Sequence, residues 1–189
     1  MKKSLEALGR ISVSEFKESP KTPVCILLDN LRSLHNVGSA FRTADAFRLD
    51  KIVLTGITGT PPHREIQKTA LGATESVAWS YVANPLEAGR MLKTEGYEIV
   101  IVEQTTASIS LQMFQPVLGK KYCLVFGNEV DGVSASLVDE ADVALEIPQS
   151  GTKHSLNVSV CLGIVVWDIF QKLNYSRLGL PGAAESISP

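Results

Sequence analysis

The sequence predicts an α/β domain with a mainly parallel sheet flanked by helices. Three observations carry this prediction. Apolar runs of strand length alternate with stretches of helical periodicity from residue 24 to residue 173. Several of those runs, such as 24–28 and 122–126, are apolar without alternation, as in strands covered on both faces. A length of 189 residues with 44% hydrophobic content fills one core and falls short of two.

The elements follow in order. Residues 24–28 form the first strand. Asn36 is placed to cap a helix over 37–47, with Val37, Phe41 and Ala44 on one face and Ala40 beside them. Residues 52–54 make a second strand, and the Gly-, Thr- and Pro-rich stretch 56–62 a loop. A short helix over 65–71, a strand over 77–82 and a helix over 86–95 closed by Gly96 come next. Strands over 97–102, 122–126 and 143–147 complete the sheet. The last helix runs from near Ser155 to about Leu173 and is apolar almost all round. Leu156, Val160, Gly163 and Trp167 share one face; Cys161, Val165 and Ile169 share another. Such a helix is deeply buried or sits in a subunit interface. Residues 1–20 read as a polar lead-in, 21–174 as the domain, and 175–189, rich in Ser, Gly, Pro and Ala, as a loose tail.

Bulk properties narrow the function. The net charge of −2 gives no electrostatic sign of nucleic-acid binding, so any such surface is local. Cys25, Cys123 and Cys161 are widely spaced inside apolar runs, which argues against a disulfide framework or zinc knuckle and for buried thiols in a reducing cytosol. No apolar stretch follows Met1-Lys2-Lys3, so no signal peptide is expected, and no run approaches the ~20 residues of a membrane span. A soluble, cytoplasmic protein is the expectation.

Three strand-to-helix segments carry unusual polar content, and ligands in such folds bind where strands end. The first runs from Asp29 through Asn36, Gly38 and Arg42. On a helix Gly38 lies one turn before Arg42, so a missing side chain there would admit a substrate to a guanidinium suited to phosphate or oxygen ligands. Read alone, it is equally a capped surface helix with a solvated Arg42. The second segment, 124–133, ends a strand in Gly127, Glu129 and Gly132. Gly127 would let backbone approach a ligand, although taken alone a Gly-rich turn with an exposed acid explains the segment better. Its glycines have P-loop-like spacing, but Val133-Ser134 stands where Lys-Ser/Thr belongs. The third, 146–159, leads through Lys153, His154, Ser155 and Asn157 into the last helix. There Ser155 capping the helix and Asn157 satisfying early donors is the plain structural account.

Together the three segments are more specific. Asn36-x-Gly38-x3-Arg42, Phe126-Gly127-x-Glu129-x2-Gly132 and Ile147-Pro148-x6-Ser155-Leu156-Asn157-x-Ser159 resemble, in order and spacing, the three signature motifs of the SpoU/TrmH family. These are RNA ribose 2′-O-methyltransferases of the SPOUT class. The resemblance covers about residues 24–173. It implies a C-terminal trefoil knot, which nothing else in the sequence supports, a homodimer with active sites near its interface, and S-adenosylmethionine as cofactor. It also implies that the loop 103–105, Thr105 included, lines the cofactor site. Gly127, Ile147 and Leu156 hold the adenosine, Arg42 is the catalytic arginine, and Asn36, Glu129, Ser155 and Asn157 are the other polar site positions. Many members carry an RNA-binding domain ahead of the catalytic one. This chain, with about 20 residues there, resembles the minimal type. Ser39 stands where members often have Ala.

The implied reaction methylates a ribose 2′-hydroxyl in tRNA or rRNA, and no metal site is expected. The family assigns the arginine as base, yet a guanidinium pKa lies above about 12. Arg42 fits equally as the group that holds the adjacent phosphate and the developing alkoxide. Arg32, His35, Arg64, Lys68, Lys153 and His154 are candidates for an RNA-facing surface. A catalytically silent RNA-binding or assembly protein of the same fold is the competing reading. A nicotinamide-dependent oxidoreductase is disfavoured because no G-x-G-x-x-G follows a strand.

Overall fold

The computed structural model describes residues 11–152 and 155–174. Seven strands form one sheet: β1 (Thr22–Asp29), β2 (Leu49–Thr55), β3 (Ala78–Val82), β4 (Tyr97–Val102), β5 (Ile109–Ser110), β6 (Lys121–Phe126) and β7 (Val143–Glu146). Their order is β3-β2-β1-β6-β4-β7-β5, and every pairing is parallel. The helices are α1 (Val13–Glu18), α2 (Leu34–Ala46), α3 (Arg64–Ala70), α4 (Ala73–Ser76), α5 (Pro85–Thr94), α6 (Ala135–Glu140) and α7 (Val158–Asn174). The α/β class with a parallel sheet is as the apolar runs indicated.

Side-chain alternation through the central strands builds two cores. Val24, Ile26 and Leu28 of β1 and Leu124 and Phe126 of β6 join Ile52 and Leu54 against α2, α3 and α7. Cys25, Leu27, Cys123 and Val125 point the other way, against Ala88 and Leu92 of α5 and Leu137 of α6. The continuous apolar sequence of these strands follows from this double coverage. Burying each such aliphatic side chain contributes ~1.5–3 kcal/mol. Cys25 and Cys123 are far apart in sequence but directly in register across β1 and β6. Both are free and buried, and burial pushes the Cys25 thiol well up.

The element boundaries depart from the sequence pattern in instructive places. α2 begins at Leu34, and its cap is Ser33, whose hydroxyl accepts from the Asn36 N–H at 3.3 Å. Asn36 therefore lies in the first turn, with its side chain free for another task. α7 begins at Val158, so Ser155 does not cap it; Asn157 Oδ1 accepts from the Ser159 N–H at 2.9 Å. α1 occupies part of the expected lead-in, because Ser12 and Glu15 form a reciprocal cap and Phe16 reaches the core. The short α4, β5 and α6 give too few residues for a period to show. α7 is not buried all round. Leu162, Val165, Val166 and Ile169 face inward, while Val160, Ile164 and Trp167 are 50%, 40% and 50% exposed. No described helix is long and apolar enough to cross a membrane.

Candidate active site

A cavity of about 410 Å³ opens beyond the carboxyl ends of β4, β6 and β7. This is where parallel sheets bind ligands. Val102, Phe126, Leu145, Ile147, Leu156 and Val158 supply apolar wall, and Glu103, Glu129, Glu146, Gln149, Ser155 and Asn157 supply polar groups. Its size is that of a small-molecule site, typically about 300–1,000 Å³. The mixture of apolar wall and polar strand-end residues suits a nucleoside, and the carboxylates suit a cationic substituent. S-adenosylmethionine has both parts, so the residues present fit it.

Loop 127–133 is held rigidly against its surroundings. Asn128 and Gly132 exchange backbone hydrogen bonds at 2.9 and 3.0 Å. The buried Asn128 side chain donates to the Asn30 carbonyl at 3.0 Å and accepts from the Val130 N–H at 2.7 Å. Asp29, buried at the end of β1, accepts from the Ser134 N–H at 2.7 Å. Glu103, at the end of β4, accepts from the Val133 N–H at 3.1 Å. A Cβ on Gly127 would collide with the backbone of Gly132 and Val133. Gly127 thus lines the cavity, but its missing side chain admits the loop's own backbone.

Glu129 ties this loop to the first motif. Its carboxylate accepts from the N–H groups of Arg32 and Ser33 at 3.1 and 3.3 Å and from Asn36 Nδ2 at 3.0 Å. Burial alone would raise the Glu129 pKa. The hydrogen bond from Asn36 and those from the backbone outweigh it and hold the group below the usual carboxylate range. A carboxylate at the start of α2 also meets the positive end of the helix dipole. Asn36, freed from capping by Ser33, is the side chain that makes this link.

The expected site residues separate into groups. Gly127, Glu129, Ile147, Ser155, Leu156 and Asn157 all line the cavity. Asn36 is joined to its rim through Glu129 without lining it. Arg42 lies on the exposed side of α2 and makes no hydrogen bond or ion pair among the described residues. Gly38 is buried, and a Cβ there would strike Thr69 Oγ1 and the Ile66 carbonyl. It serves the close packing of α2 on α3, not substrate access to Arg42. Thr105 lies outside the cavity. Its hydroxyl accepts from the Ala107 N–H at 3.2 Å in a turn beside a separate hollow bordered by Ile109 and Val138. Glu103 and Gln104 line the cavity from that loop instead.

The candidate RNA surface is mixed. Arg64 is exposed and without a described partner. Arg32 lies 3.9 Å from Asp131. His35 Nε2 and Lys68 Nζ flank one carboxylate, Glu65, at 2.9 and 2.7 Å. Lys153 and His154 fall outside the described residues. Glu103 falls in the loop the resemblance pointed to, but the bracing roles of Asp29 and Asn128 were not apparent from sequence, because Asp29 meets Ser134 and Asn128 meets Asn30 across about 100 residues. Cys161 also lines the cavity, and burial raises its thiol to about 11, so it stays protonated at neutral pH.

The SpoU rRNA Methylase family model matches residues 23–167, which include all three loops of this site. The chain belongs to the SpoU family. It shares 28% identity over 166 residues with a 23S rRNA (guanosine-2′-O-)-methyltransferase of Vibrio parahaemolyticus, covering 88% of this chain and 66% of that one. It spans 64% and 45% of two other curated relatives. Among solved structures, the A. aeolicus TrmH/SpoU tRNA modifying enzyme superposes with a TM-score of 0.76 at 26% identity, over 92% of this chain and 88% of that one. An AdoMet-bound rRNA methyltransferase from Sinorhizobium meliloti superposes with a TM-score of 0.75 at 26% identity, over 84% and 60%. These SpoU folds support the α/β architecture read above; the trefoil knot stays an implication of the family.

Proposed function

We propose that the protein transfers a methyl group from S-adenosylmethionine to a ribose 2′-hydroxyl of tRNA or rRNA. The observation that carries this reading is the Asn36–Glu129 hydrogen bond, which joins the cavity loop to the helix bearing Arg42. The AdoMet-bound relative of the same fold supports the choice of cofactor.

The bound cofactor supplies an activated methyl group with a neutral leaving thioether, so the protein's work falls on the hydroxyl. The apolar wall from Phe126, Leu145, Ile147 and Leu156 holds a nucleoside and excludes water. Ser155 and Asn157, at the mouth, orient the incoming ribose. Arg42 holds the phosphate next to the reacting ribose and stabilises the developing alkoxide, while a phosphate oxygen or water accepts the proton. Its exposure suits a group that meets a large substrate from outside.

The protein acts as a homodimer in this reading. Val160, Ile164 and Trp167 form an uncovered apolar stripe on α7, and the same helix turns Val158 and Cys161 into the cavity. Phe47 at the end of α2 packs against Trp167 with ring centroids 5.8 Å apart. A second copy seated on the stripe would therefore lie close to both motif helices. The free, buried thiols of Cys25 and Cys123 suit the cytoplasm.

Binding of S-adenosylmethionine, followed by methyl transfer to RNA, tests this assignment. Cofactor binding without transfer to any cellular RNA would favour the silent RNA-binding alternative. NAD binding in its place would refute both.

A further inference from the structure

The described residues of the cavity wall carry an unbalanced charge. Glu103, Glu129 and Glu146 line it, and no Lys, Arg or His does so among the described residues. Each carboxylate is fixed by neutral donors. Glu103 accepts from the N–H groups of Gln104 and Val133 at 3.0 and 3.1 Å. Glu129 is held by Arg32, Ser33 and Asn36 as described above. Glu146 accepts from the Ser108 hydroxyl at 2.8 Å. Gly132, at φ +71°, lies so close to Glu103 that a Cβ would meet its carboxylate, so the loop is shaped around this acid. These bonds orient the charges without cancelling them. Fixed charges beside apolar walls act more strongly than in open water.

We propose that the cavity sorts its ligands by charge, favouring the sulfonium of S-adenosylmethionine over the neutral thioether of S-adenosylhomocysteine. This rests on the methyl-transfer reading. In that reaction the S–CH3 bond breaks and sulfur keeps the electron pair. The ribose oxygen forms the new O–CH3 bond, and its proton passes to a phosphate oxygen or water. The ligand in the cavity thereby loses one positive charge while the three carboxylates remain. Turnover itself loosens the product, and Glu103 and Glu146 become specificity determinants for the cofactor.

Calorimetric titration of the whole protein with three ligands tests this. They are S-adenosylmethionine, S-adenosylhomocysteine and sinefungin, whose amine places a cation where the sulfonium lies. The two cationic ligands should bind about tenfold or more tightly than the thioether, and raised salt should narrow the gap. Glu146→Gln, which keeps an acceptor for Ser108, should cut the ratio about threefold or more while leaving S-adenosylhomocysteine affinity unchanged. Glu103→Gln should do the same, with circular dichroism confirming the fold. Equal affinity for all three ligands, or a ratio unmoved by both variants, would overturn the charge inference and leave the cofactor assignment standing. Failure of all three to bind would overturn the cofactor assignment and this inference with it.

Discussion

Arg42 is proposed to hold the substrate phosphate and the developing alkoxide. It lies on α2, exposed and without a described partner, and outside the cofactor-sized cavity. Arg42→Ala should lower methyl transfer by about 100-fold or more while leaving S-adenosylmethionine affinity within about threefold. Calorimetry showing equal loss of both would place Arg42 in cofactor binding instead. Glu129 gives a pH test. Its native pKa is lowered, so its stabilisation is complete above the ordinary value of 4.5 and is lost as pH falls through the lower native value. Glu129→Gln should flatten the fall in Tm as pH drops from 4.5 towards the lower native value; a fall identical to wild type would show that the clamp does not couple to folding. Asn36 and Glu129 were both apparent from sequence as polar motif positions, but their bond was not, since 93 residues separate them. Thr105 went the other way. Glu103 and Gln104 of its loop line the cavity, while a local turn holds the Thr105 side chain against Ala107.

Helices α2 and α3 show how spacing is legible while its cause is not. Gly38 one turn before Arg42 suggests an opening for substrate; the packing shows it is the point where α3 approaches α2. Gly38→Ala should destabilise the protein by about 1–3 kcal/mol through overpacking, read by denaturant unfolding. A neutral result would mean that α3 shifts freely. Capping gives a second measurement. Ser33→Ala should cost ~1 kcal/mol through loss of the α2 cap. Asn36→Ala should act chiefly through turnover and the Glu129 link; wild-type methylation by that variant would remove Asn36 from the mechanism. Strand positions were legible because doubly covered strands have continuous apolar sequences. α1, α4 and α6 were not, because six residues or fewer do not establish a helical period.

For the whole molecule, the sheet gathers three distant segments at the carboxyl ends of its strands. The parallel order β1-β6-β4-β7 brings the ends at Asp29, Phe126, Val102 and Glu146 together. α7 then closes the cavity with one face and leaves Val160, Ile164 and Trp167 outward. Trp167→Glu should shift a sedimenting dimer to monomer and reduce methylation with it; an unchanged oligomeric state would show that the stripe is not the interface. RNA affinity should fall steeply with salt, since phosphate contacts release counterions. His35 and Lys68 share Glu65, a pairing that the candidate list of basic residues did not show, since His35 and Glu65 lie 30 residues apart. The proposed activity is methyl transfer to a ribose hydroxyl. Incubating the purified protein and its Arg42→Ala variant with S-adenosylmethionine and RNA from cells lacking the gene, then mapping 2′-O-methyl sites, tests it most directly. A discrete 2′-O-methylated nucleotide made by the wild type and absent with the variant is the result predicted. Methylation on a base, or no transfer to any RNA, would contradict it.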